Sequence, residues 1–546
     1  MSLYWVNDMS KIQKYWNTVK YLKFVQLSAQ VGKRFKSSSK PEKIQAPQCR
    51  KLSLCIPSLD LNESYIARFS PELILQGKVT LLHHSYEISF SMEMKKSMSP
   101  LCWFNLLYFE YAVSLAAVYS KSGEKAYLEA FKKIFNDYLR ADLPYAPYVI
   151  SLRIPNLLIA LELFGNSLDR EFVNAVNNEI YRQYRYLQRH CETHLLGNHF
   201  FENLKALTIA SFYFQDDKRC SRYAQKLEKQ ANEQIQPDGT HFELSPMYHK
   251  IILEDLLRLN RLKGCQFLDW VPAAISKMAN AMYVMEHGLS RTPLFNDAGD
   301  NVSKAYESLI KAVSVETGAY LYPGGYSLSD AGYYRLCRDG IIVIADCGKI
   351  GPDYIPGHGQ CDCLSFELFY NGEPLIVNSG TYQYQGDKRK HFRSTAAHNT
   401  VVMDNSEQSQ CWGEHRVAKR IGDLSACCDG KSFKGSYTSA YHKKHSRSIT
   451  LESREVLILD NTENAREAKS YIRIPESFSV SNELCVTDRQ GKQVCSIEPI
   501  NCCGKRCQDD EMTMYAPEFG KLERCTCIEF SWTGDKNSHG YRISFM

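Results

Sequence analysis

Between Gly332 and Asn399 the chain gathers polar side chains that a β-scaffold has no need of: His358, Gln360, Asp362, Asn378, Tyr384, Arg393 and His398. They flank two apolar runs, LSFELFY and EPLIVNSG, joined at Asn371-Gly372, a dipeptide suited to a type I′ hairpin turn. Two histidines, a tyrosine and an arginine beside one hairpin suit proton transfer next to an anionic group.

Two earlier segments carry similar chemistry. GNHFFEN (197–203) opens an apolar helix, with Asn198 and His199 in its first turn and Asn203 one turn beyond His199 on the same face. Alone, such a pair also fits a capping or core histidine. In QPDGTHFELSPMYHK, Asp238-Gly239 makes a turn and Ser245-Pro246 supplies an N-cap and first helical residue, which puts Tyr248 in the first turn. A helix N-terminus favours negative charge, so a tyrosinate there is expected to be less costly than in water. A tyrosine packed against neighbouring helices reads the same motif equally well. His249 points elsewhere on the helix and reads as structural.

GHGQCD (357–362), NSGT (378–381) and AHNT (397–400) resemble the β-domain signature of the heparinase II/III family of polysaccharide lyases. In that family Gly-His-x-His-x-Asp is followed by Asp-Ser-Gly-Thr and Ala-His-Asn-Thr strands. The resemblance is clearest from Leu195 to Arg416 and weaker over the rest of the chain. It implies that Asn198 binds a uronate carboxylate, His199 assists proton abstraction, Tyr248 is the catalytic tyrosine and His358 the catalytic β-domain histidine. Tyr384 matches a further catalytic tyrosine, and Asn203, Glu243 and Arg393 complete the expected substrate-binding set. The chemistry needs these types. The C5 proton of a uronic acid is weakly acidic, so the adjacent carboxylate must be neutralised while a base removes the proton and an acid protonates the departing 4-O oxygen.

Many members of the family hold a zinc through the second His of GHxH, the Asp before Ser-Gly-Thr and the His of AHNT. Here those positions are Gln360, Asn378 and His398. One imidazole and two amides make a poor zinc site, so no metal cofactor is expected, and a hydrogen-bonded Gln360–Asn378–His398 network is expected in its place.

The elements that must position these groups change character along the chain. From Ser99 to Val315 apolar residues recur every three or four positions, as in NLLYFEYAVSLAAVYS and IILEDLLRLNRL. Periodicity fits either a bundle or an (α/α) toroid, and the resemblance favours the toroid. After Pro323-Gly324-Gly325 the period becomes two, with strands expected at 341–346, 364–370, 374–378, 399–403, 447–460 and 526–546. The expected fold is thus α+β and multidomain: a lead-in over 1–95, an incomplete (α/α) toroid over 96–318, and an antiparallel β-sandwich over 319–546. Lys33 to Lys43 reads as a basic loop.

Bulk properties restrict the function. Apolar residues make up 44% and charged residues 23%, and the net charge of +5 is too mild for a nucleic-acid partner but compatible with a polyanionic sugar. There is no phosphate-binding glycine loop, G-x-S-x-G elbow or HExxH helix. No stretch reaches the roughly 18 consecutive apolar residues of a membrane span, and the N-terminus lacks a signal-peptide core, so a cytoplasmic location with reduced thiols is expected. The twenty cysteines include Cys502, Cys503, Cys507, Cys525 and Cys527, whose spacing does not match paired zinc knuckles. Lys11 to Arg34 mixes basic and aromatic residues. It suits a helix packed on the body, which is the expectation, or one lying on a membrane surface. The expected activity is β-elimination on a uronic-acid polymer. A C5-epimerase, or a silent glycan-binding protein of a surface-polysaccharide pathway, is the alternative. The expected partners are an anionic polysaccharide or oligosaccharide and, for a homodimer, a second copy.

Overall fold

The computed structural model describes residues 2–33, 39–318, 325–534 and 537–546, with side chains from Lys11 onward. The expected change of period at Pro323-Gly324, and part of the basic loop, fall outside the described residues.

The lead-in is more ordered than the sequence suggests. Helices Ser2–Val19 and Phe24–Lys33 come first, then three short helical turns between Pro57 and Leu75, then a hairpin of Lys78–Leu81 against His84–Glu87. Strands therefore do occur before residue 300, ahead of the helical domain and not within it. From Met92 to Thr317 antiparallel helices pack in sequence-adjacent pairs as an incomplete (α/α) toroid. The run NLLYFEYAVSLAAVYS, read as one helix, is two. Phe109 adopts a left-handed conformation (φ 63°), and Pro100–Tyr108 and Glu110–Ser122 meet there at 40°. Helix Pro147–Phe164 is apolar enough to cross a membrane by composition, but it is a core helix, packed on Glu110–Ser122, Arg170–His190 and Gly197–Tyr213.

From Ser327 the chain is antiparallel sheet. A five-stranded sheet carries the signature hairpin: Phe366–Tyr370 and Glu373–Ile376 are joined by Asn371 and Gly372, both with positive φ (52° and 86°), as a type I′ turn requires. An eight-stranded sheet and a second five-stranded sheet complete the sandwich, and side chains from all three share one apolar core that includes Leu336, Phe433, Ile458, Ile472 and Phe530. Two expected strands are each really two. The 447–460 segment is a hairpin of Lys444–Glu452 and Glu455–Glu463, and 526–546 divides into Lys521–Thr533 and His539–Phe545, which lie in different sheets. Among the described residues no disulfide joins the cysteines. The C-terminal five do not form one cluster: Cys507 and Cys527 lie side by side, but Cys502 faces the Gly540 carbonyl, Cys525 the Met512 carbonyl, and Cys503 is exposed.

Candidate active site

The helical domain supplies one wall of the site. Helix Gly197–Tyr213 starts abruptly, with Leu196 and Gly197 both at positive φ (65° and 53°). A Cβ at Gly197 would lie 2.3 Å from Glu243 Oε1 and 2.9 Å from Ile355 Cδ1, so only glycine allows this entry. The tight approach lets Glu243 grip Asn198 twice: Oε1 accepts from the backbone N–H (3.0 Å) and Oε2 from Nδ2 (2.7 Å). Burial alone would raise the Glu243 carboxyl, but His358, His241 and these Asn198 bonds hold it below its usual range.

Tyr248 stands in the first turn of helix Pro246–Asn260. Its N–H is capped by Ser245 Oγ (3.3 Å), and the same hydroxyl donates to the Asp297 carbonyl (2.8 Å). Its phenol oxygen is 2.9 Å from that of Tyr384, and its ring lies 4.1 Å from the imidazole of His358. Here the structure corrects the expectation of an easily formed tyrosinate. Burial pushes the Tyr248 hydroxyl up, with Asp297 and Glu243 adding to the effect, and burial does the same to Tyr384. Both are phenols at neutral pH.

The β-domain supplies His358, whose Nδ1 is 3.1 Å from Asp297 Oδ2 and whose Nε2 is 3.3 Å from Asn198 Nδ2. An ionised Asp297 accepts the Nδ1 proton and leaves the Nε2 lone pair toward Asn198. Burial opposes that charge, but the Arg389 guanidinium, bidentate on Asp297, together with His358 holds the carboxyl well below the usual carboxylate range. Arg389 also faces the Tyr384 ring at 5.6 Å, and His415 lies 6.0 Å from that ring. Asp297, Arg389 and His415 escaped the sequence reading. NDAGD and DKRKHF have no distinctive spacing, and the partners Asp297 and Arg389 are 92 residues apart.

The remaining expected residues fall outside this group. His199 shares a helical turn with Asn198, but its ring leans on Tyr148 (4.4 Å) and its Nδ1 lies 3.4 Å from Glu192. Asn203 is fully buried, accepting from the Glu192 N–H (2.6 Å) and donating to Ser151 (3.0 Å). Arg393, also buried, donates to the carbonyls of Gly359 and Glu414, both at 3.0 Å. Asn203, Arg393 and Glu243 thus brace the walls, where the sequence had suggested substrate contacts. His249 is buried and structural, its Nε2 2.9 Å from the Met278 carbonyl.

The expected Gln360–Asn378–His398 network does not form. Gln360 Nε2 donates to Asp297 (2.8 Å) and Thr381 (3.0 Å), and Asn378 bridges the Asn399 N–H (3.0 Å) and Ser365 (3.3 Å). The ring nitrogens of His398 are buried and bond neither Gln360 nor Asn378. Burial, with Arg473 and His391 nearby, depresses its pKa to about 3. One imidazole in reach of a guanidinium, with two amides bonded elsewhere, does not fit a divalent cation.

An (α/α) toroid is thus set against an antiparallel sandwich, with two tyrosines, an asparagine and a carboxylate-oriented histidine at their junction. Residues 78–317 match the model of the heparinase II/III N-terminus and residues 323–526 that of the heparinase II/III-like C-terminal domain. The chain belongs to the heparinase II/III family. It is 24% identical over 348 residues to a heparin-sulfate lyase of Pedobacter heparinus, covering 54% of this chain and 50% of that protein. It is 22% identical over 401 residues to one of Bacteroides thetaiotaomicron, covering 61% and 54%. The chain thus spans about half the length of these relatives. Among solved structures, a heparinase III superimposes with a TM-score of 0.66 over 93% of this chain and 88% of that one at 16% identity, which establishes a shared fold.

Proposed function

We propose that this protein is a polysaccharide lyase that cleaves a uronic-acid-containing polymer by β-elimination. The observation that carries this reading is the meeting of Asn198, Tyr248, His358 and Tyr384, from two helices and two β-domain loops, at hydrogen-bond and ring-contact distances. Membership of the heparinase II/III family and the heparin-sulfate lyases among its relatives support it.

The residues divide the work. Asn198, fixed by Glu243, meets the substrate carboxylate, which displaces the long contact to His358 and lets charge build up as an aci-carboxylate. The Nε2 lone pair of His358 takes the C5 proton, while Asp297 holds the ring and steadies the imidazolium. The C5–H electron pair becomes the second bond between C4 and C5, the C4–O bond breaks, and the departing oxygen takes a proton from the Tyr248–Tyr384 pair. Two phenols kept protonated by burial suit the acid role better than the base role.

The test is incubation with a panel of uronate polymers in deuterated water, reading ultraviolet absorbance of the new double bond and deuterium at C5. An unsaturated product supports the lyase. Deuterium at C5 without unsaturation makes the protein an epimerase, and neither signal on any polymer leaves a glycan-binding protein.

A further inference from the structure

The N-terminal helices are inside out. In helix Ser2–Val19, Ile12, Trp16 and Val19 fall at i, i+4 and i+7, the spacing of a single apolar stripe, yet they are 67, 66 and 42% exposed, while Tyr15 beside them sets its ring edge-on to Trp412 at 5.2 Å. In helix Phe24–Lys33, Phe24, Leu27 and Val31 repeat the pattern at 84, 40 and 61%. Polar atoms make much of the contact with the body instead. Gln26, the buried residue of the second helix, lies 3.3 Å from the carbonyls of both Leu195 and Tyr354. Thr18 accepts from the Trp412 indole (3.0 Å), and Lys23 pairs with Glu233. The segment thus packs on the body as expected, but largely through polar atoms. Its polar side is the docked side, and two apolar stripes are left facing out.

Charge identifies what would cover them. Residues 11–33 contain Lys11, Lys14, Lys20, Lys23 and Lys33 and no aspartate or glutamate, although the whole chain nets only +5. A second copy docked face to face would bring like charges together. An anionic lipid surface would neutralise them and take up the aromatic and aliphatic stripe. We propose that this helix pair is a peripheral membrane anchor. Trp16, Phe24 and Val31 enter the boundary between headgroups and acyl chains, and the exposed Lys11 and Lys20 meet lipid phosphates, while Lys14, Lys23 and Lys33 lie against the body. Because the same helices touch the helical domain at Leu195 and the β-domain at Trp412, the anchor holds both walls of the candidate active site at the bilayer.

Flotation of the full chain with phosphatidylcholine vesicles, and with vesicles containing phosphatidylglycerol, tests this. The expected result is co-flotation with the anionic vesicles only, weakened by added salt. Affinity should fall at least ~10-fold in a Trp16→Ala, Phe24→Ala, Val31→Ser variant whose melting curve is unchanged, since these side chains are solvent-facing. Three results would overturn the proposal: no anion-dependent binding, equal binding by the variant, or a dimer in light scattering that the variant converts to monomer without any lipid binding by the parent.

Discussion

Tyr248 does its work as a hydroxyl, because burial opposes its ionisation and Tyr384 lies 2.9 Å away to share the proton. Tyr248→Phe should therefore lower turnover by at least ~10²-fold while leaving KM nearly unchanged, since the ring survives and the proton does not. Initial rates on any polymer that yields unsaturated product will show it, and near-wild-type turnover would remove Tyr248 from the mechanism. Asn198→Ala should cost a similar ~10²-fold through lost carboxylate stabilisation, and carboxyl-reduced polymer should be inert. At His398 elemental analysis should find no stoichiometric zinc. About one zinc per chain, lost in His398→Ala, would contradict the donor chemistry at Gln360 and Asn378. Asn198, Tyr248 and His358 were legible because each sits in a short string that resembles a motif of the family; local geometry alone left a capping or packing role equally open. Asp297 was not, because its meaning comes from His358 and Arg389, 61 and 92 residues away.

Helix starts set the geometry of the site. Ser245 is an N-cap whose hydroxyl also holds the Asp297 carbonyl, so one side chain ties the Tyr248 helix to the loop that orients His358. Ser245→Ala should cost ~1–2 kcal/mol of stability, measured by denaturant unfolding, and should depress turnover more than KM. Gly197→Ala should be worse for activity than for folding. Its Cβ would meet the Glu243 carboxylate at 2.3 Å and swing away the group that fixes Asn198. If this variant binds and turns over polymer normally, Glu243 does not govern Asn198. The Ser245-Pro246 start could be read from sequence because capping is local. The strands at 447–460 and 526–546 could not be divided correctly. The first of them turns at Ser453-Arg454, which carries no glycine, proline, asparagine or aspartate to mark the break.

Buried histidines and buried carboxyls pull the pH dependence of stability in opposite directions: burial raises Asp362 and Glu367 to about 7, so their contributions grow as pH falls, whereas the histidines' contributions shrink. His241, His249 and His398 are fully buried, and burial depresses their pKa values to about 4, about 3 and about 3. An unfolded histidine takes up a proton near pH 6.5, whereas these remain neutral while folded, so at these three sites the unfolded state binds more protons and their contribution to stability falls as pH drops below about 6.5. Each group contributes a slope of ~1.4 kcal/mol per pH unit until its folded pKa is reached. Asp297 adds a later loss. Its folded pKa is depressed, so its contribution is complete above the ordinary carboxylate pKa and disappears only in stronger acid. Urea midpoints at a series of pH values should show this, and His398→Asn should reduce the slope by one proton's worth. An unchanged slope would mean that His398 is charged in the fold. At this scale the two-domain plan was legible from the change of apolar period. The outward-facing anchor was not, because a periodic stripe specifies a face without saying what it faces.

The docking of the first helices also has a history in time. Thr18 waits for Trp412, 394 residues further along the chain. At ordinary synthesis rates the gap is on the order of 20–80 s, during which both domains' partners are still being made. These helices are thus made long before Trp412 and are seated against it only afterwards. A newly made chain carries its apolar, lysine-rich stripe free of the body for most of its synthesis, so it can meet a surface before the cleft it will hold there has been completed.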